Sequence, residues 1–106
     1  MAAGRAIVGV AVLDGKLYAV GGYNNGVLSS VERYDPALDV WEVVAPMAEA
    51  RYKLAVAVLD GKLYAVGGYN DHGFLTSVER YDPAANTWEA VAPLTTARAY
   101  PVAVLM

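Results

Sequence analysis

Apolar residues fall in short runs along this chain, and turn-forming residues close each run. The first run, residues 5–13, ends at Asp14-Gly15, and the same register returns over 51–59 before Asp60-Gly61. Asp-Gly tolerates the positive φ angles of a tight hairpin turn. A second apolar run follows at once, over 16–22 and 62–68, and ends in Gly21-Gly22 and Gly67-Gly68. It lacks polar alternation, which predicts a strand covered on both faces. The paired glycines imply close approach of another backbone, or φ values that a Cβ would forbid. Third strands are predicted over 28–34 and 75–81, stopped by Asp35-Pro36 and Asp82-Pro83. Fourth strands are predicted over 40–44 and 87–91, carrying Trp41 and Trp88. No segment has helical spacing. Short strands between regular turns predict an all-β sandwich, barrel or propeller.

The pattern is written twice. Residues 12–24 return unchanged as 58–70, a spacing of 46, and residues 30–36 return as 77–83, a spacing of 47 after the extra His72. Repetition at that period marks a modular array, in which one module cannot bury its apolar faces alone. The modules divide as 1–50 and 51–97. Residues 98–106 match the opening strand a third time, giving one innermost-type strand in excess. Either 5–13 holds the innermost slot, as its two-residue hairpin tether favours, or 98–106 exchanges into a neighbouring copy. Pro101 in that segment is tolerable only on a free strand edge.

Composition narrows the function classes. The chain has 106 residues, of which 57% are apolar by the broad count, so it is not a disordered segment. A net charge of −3 spread along the chain offers no basic stripe to a nucleic acid. Cysteine is absent, which removes disulfides, thiolate nucleophiles and thiolate metal sites. Residues 6–13 could pass for a signal-peptide core, but the internal copy of that register argues for a strand. No apolar run reaches the roughly 18 residues of a membrane helix. The expectation is a soluble chain of cytoplasmic type without a signal peptide.

The order Asp-Gly, apolar strand, Gly-Gly, Tyr, then Trp some residues later resembles the kelch repeat. Its elements here are Gly21, Gly22, Tyr34 and Trp41, then Gly67, Gly68, Tyr81 and Trp88. The WD-type propeller fits less well, because no Gly-His pair opens the module. The resemblance covers nearly the whole chain. It implies that each module is a four-stranded antiparallel blade of a β-propeller, first strand innermost. Propellers hold about four to eight blades, and kelch-like rings commonly six. Two blades therefore imply a ring completed by oligomerisation, a homotrimer being the leading count. Covering several hundred Å² of apolar face at ~25 cal/mol per Å² contributes on the order of 10 kcal/mol before association costs. The near-identity of the modules points to recent duplication or deliberate design as a scaffold.

The alternative is a recognition module for a protein or an acidic peptide. The two modules differ mainly in two loops, 25–27 against 71–74 and 48–53 against 95–100. On a kelch-like blade these loops share one face, and varied loops on a constant scaffold carry specificity. The resemblance implies a central pocket lined by the residue after Gly-Gly and by the Arg opening the first strand. The candidates are Arg5, Tyr23, Asn24, Arg51, Tyr52, Lys53, Tyr69, Asn70, His72, Phe74, Arg98 and Tyr100. Tyr and Arg are preferred interface anchors, and Arg binds carboxylates bidentately.

The remaining chemistry reads as structural. Glu32-Arg33 and Glu79-Arg80 are expected to form cross-strand charge pairs of small individual worth. Tyr18, Tyr64 and the repeated Tyr and Trp are expected to pack between blades. A lone His72 supplies neither a catalytic triad nor a metal site within one chain. Three copies of it in a ring could meet a Zn²⁺ or Ni²⁺ only if brought together above the axis. No phosphate loop is present. Some kelch-like propellers are copper oxidases that use a modified Cys, which this chain does not have. Catalysis and cofactors are therefore not expected.

Overall fold

The computed structural model describes residues 4–94 other than Ile7. The expectation of an extra strand over 98–106, and the candidates Arg98 and Tyr100, lie outside the described residues.

The strands are β1 (Gly9–Leu13), β2 (Lys16–Val20), β3 (Val31–Asp35), β4 (Val40–Val44), β5 (Ala55–Leu59), β6 (Lys62–Val66), β7 (Tyr69–Asn70), β8 (Gly73–Phe74), β9 (Val78–Asp82) and β10 (Thr87–Val91). They form two four-stranded antiparallel sheets, β1-β2-β3-β4 and β5-β6-β9-β10, and a small ribbon of β7 with β8. The β1–β2 and β5–β6 hairpins turn at Asp-Gly. Asp14 and Gly15 have φ of 53° and 73°, and Asp60 and Gly61 have 51° and 72°, so both central residues adopt the left-handed region.

The fourth strands match the expected bounds, and the others are shorter for identifiable reasons. β2 and β6 stop at Val20 and Val66 because Gly21, Gly22, Gly67 and Gly68 all take positive φ. The first strands begin at Gly9 and Ala55, not at Arg5 and Arg51. Their leading residues pair elsewhere, Ala6 with Tyr23 and Tyr52 with Tyr69, and Lys53 at φ 54° breaks the strand between. The third strands begin late because Leu28 and Leu75 donate their N–H groups back to Gly22 O and Gly68 O. The β7–β8 ribbon has no counterpart in the expected elements. It forms around the inserted His72, where the first module has only a Tyr23–Val27 bridge.

The core lies between the two sheets, and side-chain alternation decides what enters it. From the first sheet come Leu13, Tyr18, Val20, Val31 and Val44; from the second come Leu63, Ala65 and Tyr81. Tyr18 and Tyr81 meet across this junction with ring centroids 5.8 Å apart. Trp88 donates its indole N–H to Ala45 O at 2.8 Å, and Asn86 Oδ1 accepts Ala45 N–H at 3.0 Å. Tyr81 OH donates to the same Asn86 oxygen at 2.8 Å.

Equivalent residues differ in burial according to which face has a neighbour. Tyr81 and Leu63 are both 0% exposed, while their counterparts Tyr34 and Leu17 in the first sheet are half-buried. Tyr18 is 1% exposed, while its counterpart Tyr64 in the second sheet is half-buried. On the outward side of the first sheet, Val10 and Val12 stand 53% and 63% exposed. The pairing register places them in one stripe with Leu17, Tyr34, Trp41 and Val43. Each central strand is thus covered on both faces beside its glycine turn, where Ala19 and Val66 are buried, and on one face only toward its hairpin end, where Leu17 and Tyr64 are half-buried.

Candidate interaction site

The glycine pairs bring two loops together. A Cβ on Gly21 would lie 2.4 Å from Arg51 O, and one on Gly68 would lie 2.8 Å from Tyr52 O. Close backbone approach and positive φ therefore apply at once. Gly22 N–H donates to Arg51 O at 2.9 Å, and Arg51 N–H donates to Leu28 O at 3.0 Å. The loop after β2 and the loop before β5 consequently share one face, where four aromatic rings form a row. Tyr23 and Tyr52 have centroids 5.8 Å apart, Tyr52 and Tyr69 5.5 Å, and Tyr69 and Phe74 5.1 Å. The two ends are open, with Tyr23 46% and Phe74 62% exposed. Lys53 places its Nζ 5.6 Å from the Tyr52 centroid, within cation–π range. A cleft of roughly 310 Å³ beside the row is lined by Val27, Glu49, Asp71 and His72 among others.

The expected arginine anchors are committed elsewhere. Arg51 is fully buried: its Nη1 donates to Gly67 O and Ser77 O, both at 2.9 Å, and its Nη2 donates to Glu79 Oε2 at 2.7 Å. Arg5 repeats the arrangement with Gly21 O, Ser30 O and Glu32 Oε2 at 2.9, 2.9 and 2.7 Å. Neither guanidinium faces an open pocket; each locks the glycine turn and third strand of its own module. The Nε–H groups of both are buried without an acceptor among the described residues.

The asparagines are likewise structural. Asn70 is buried and donates to Ala50 O at 2.8 Å, while Asn24 donates to Gly4 O at 2.7 Å. His72 is exposed, its N–H held by Asn70 Oδ1 at 2.9 Å. Of the expected candidates, the fold gathers Tyr23, Tyr52, Lys53, Tyr69 and Phe74 into one patch.

Glu32 and Glu79 depart from their expected surface role. Both are buried beside the arginines, and Glu79 also accepts the N–H groups of Ala48 and Glu49 at 2.7 and 3.1 Å. The cross-strand pairs form instead between Arg33 and Glu42 at 2.6 Å and between Arg80 and Glu89. The available signal for Glu79 was its place in an otherwise apolar stripe with Leu63, Ala65 and Tyr81. Arg33 also lies over the Tyr18 ring, 5.9 Å from its centroid, and its hydrogen bond to that phenol raises its pKa. Tyr34 is raised by its hydrogen bond to Asp39, and Tyr81 by burial. Among the described residues no group of three or more His, Cys, Asp and Glu is placed to hold a metal ion.

The kelch motif matches residues 5–48 and again 50–95, so the chain belongs to the kelch-repeat family, and its two sheets are kelch blades. Kelch repeats are generally protein-interaction modules. Kelch-like protein 33 of Homo sapiens is 55% identical over 38 residues, covering 35% of this chain and 7% of that protein. Influenza virus NS1A-binding protein homolog B of Danio rerio is 50% identical over 48 residues, covering 44% and 8% respectively. The solved structure of YjhT superposes with a TM-score of 0.81 at 20% identity, covering 90% of this chain and 40% of that one. The fold is that of a kelch β-propeller. The chain spans only a small fraction of the length of these curated relatives.

Proposed function

We propose that this chain is a two-blade kelch unit whose activity is to complete a propeller with further copies of itself, three chains forming six blades, without a catalytic step. The burial contrast between Tyr81 and Tyr34 carries the reading. The same tyrosine on the same strand is covered where another blade packs against it and half-open where none does among the described residues. Apolar stripes of this kind are association surfaces, and the missing neighbour in each case is a blade of the type the chain already contains. The near-identity of the modules favours a duplicated or designed scaffold. A dilution series by sedimentation velocity tests the reading. Particles several-fold heavier than the 11.2 kDa chain are expected, and a lone chain at every concentration would refute it.

A second reading rests on the row from Tyr23 to Phe74. Exposed aromatic rings with one lysine suit a protein segment bearing apolar and acidic side chains. The contribution expected of arginine falls to Lys53, because Arg5 and Arg51 are internally paired. With an identified partner, Tyr52→Ala should weaken capture at least tenfold while leaving particle mass unchanged. Unaltered capture would remove the row from the account.

A further inference from the structure

Resting on the assembly reading above, we infer that the contact between chains is head-to-tail and continues the junction already built inside each chain. The first blade of one copy seats on the second blade of the next, with Trp41 and Asp39 gripping the backbone of Ala92. Inside the chain, the outward-type face of β5, β6, β9 and β10 packs on β1 to β4, and the atoms that hold it are known. Trp88 donates to Ala45 O, and Asn86 accepts Ala45 N–H. The repeat supplies a counterpart for each partner: Trp41 for Trp88, Asp39 for Asn86, and Ala92 for Ala45.

Every one of these counterparts is in place, and among the described residues none meets its seam partner. Trp41 stacks on Tyr34 at 5.4 Å as Trp88 stacks on Tyr81 at 5.1 Å. Tyr34 OH donates to Asp39 Oδ1 at 2.5 Å, as Tyr81 OH donates to Asn86. The Trp41 indole N–H meets no acceptor among the described residues, and Ala92 is exposed. The two halves thus sit ready-formed on opposite sides of the same molecule. That geometry makes the contact heterologous, so successive copies propagate in one direction until the ring closes. A two-fold contact would bury two like faces together and leave Ala92 without Trp41. The tyrosine contact is repeated as well, with Tyr64 of one copy meeting Tyr34 of the next as Tyr18 meets Tyr81.

One position distinguishes the new seam from the internal one. Gly9 in β1 approaches β5 so closely that a Cβ there would lie 2.2 Å from Val56 Cγ2. At the seam the counterparts are Ala55 and Val10, so the Ala55 methyl must turn Val10 aside. Replacing Val10 by the slimmer Cys relieves that contact. It also leaves two Cβ atoms near the ~3.8 Å that a disulfide favours.

The cysteine-free chain makes the test clean. Val10→Cys and Ala55→Cys chains are prepared separately, mixed, allowed to exchange and oxidised. Gly9→Cys/Val56→Cys in one chain serves as the geometric control. A covalent dimer from the mixture, with none from either variant alone, supports the head-to-tail seam. The double variant Val10→Cys/Ala55→Cys should yield a ladder that ends at the ring size. Cross-linking by Val10→Cys alone overturns the inference in favour of a two-fold contact. Assembly by mass without cross-links in the mixture also overturns it, while the assembly reading survives. Monomers throughout would overturn both.

Discussion

Arg51 Nη2 lies 2.7 Å from Glu79 Oε2 inside the second blade, and the guanidinium is fully buried. The same chain segment bonds through its main chain to Gly22 and Leu28 of the first blade. One residue therefore ties the glycine turn of one blade to the third strand of the next. Removing the guanidinium strands a buried carboxylate, which costs about 3–5 kcal/mol. Arg51→Ala should lower the denaturation midpoint sharply in urea, whereas Thr76→Ala at an exposed position should stay within about 0.5 kcal/mol of the parent.

The glycine pairs face a double restriction. Gly68 combines φ of 100° with a carbonyl 2.8 Å from where its Cβ would stand. Gly68→Ala is expected to destabilise by roughly 1–3 kcal/mol or more, since strain and collision add. Gly4 has nothing within 4 Å of its Cβ position, so Gly4→Ala should be nearly neutral. Equal thermal midpoints for the two variants would contradict this account of the turn.

The two tryptophans should separate folding from association. Trp88 donates to Ala45 O within the chain. Trp88→Phe keeps an aromatic ring but loses that bond and part of the indole's packing, a cost of about 1 kcal/mol or more in chain stability. Trp41→Phe, under the proposed seam, leaves the chain's own hydrogen bonds unchanged and shifts the concentration at which particles form. Denaturation curves and sedimentation on both variants check the pair.

Alkaline pH should weaken the fold. The hydrogen bond to Asp39 raises the pKa of Tyr34, and burial raises that of Tyr81. A phenol whose folded pKa lies above its unfolded value of about 10 contributes fully below that pH. The contribution is lost as pH climbs toward the folded value, because the unfolded chain releases the proton first. Thermal midpoints should fall between about pH 9 and 12, and Tyr34→Phe should blunt the fall. An unchanged slope in that variant would contradict the assignment.

The fold was readable because this family writes its turns in glycine and aspartate. Asp14-Gly15 and Gly21-Gly22 demand positive φ, and the structure uses all four residues so. The repeat then marks the four strands of each main sheet, and Trp41 and Trp88 mark strands whose bounds match the structure. Arg5 and Arg51 are not legible as buried groups, because an exposed anchor and a buried staple look alike in sequence. What separates them is the glutamate across the blade, Glu32 for Arg5 and Glu79 for Arg51, at a long separation along the chain. The β7–β8 ribbon escaped notice because the insertion of His72 changes a loop's length without changing its polar character. The aromatic row was half visible: Tyr23 and Tyr69 follow the glycines, but their meeting through Tyr52 depends on a bridge between loops.

Native mass spectrometry of the 106-residue chain tests the central claim most directly. Three copies in one particle, surviving dilution and dissociating without intermediate open chains, is the predicted spectrum. A well-folded single chain of 11.2 kDa, unchanged at the highest concentration reached, would contradict it.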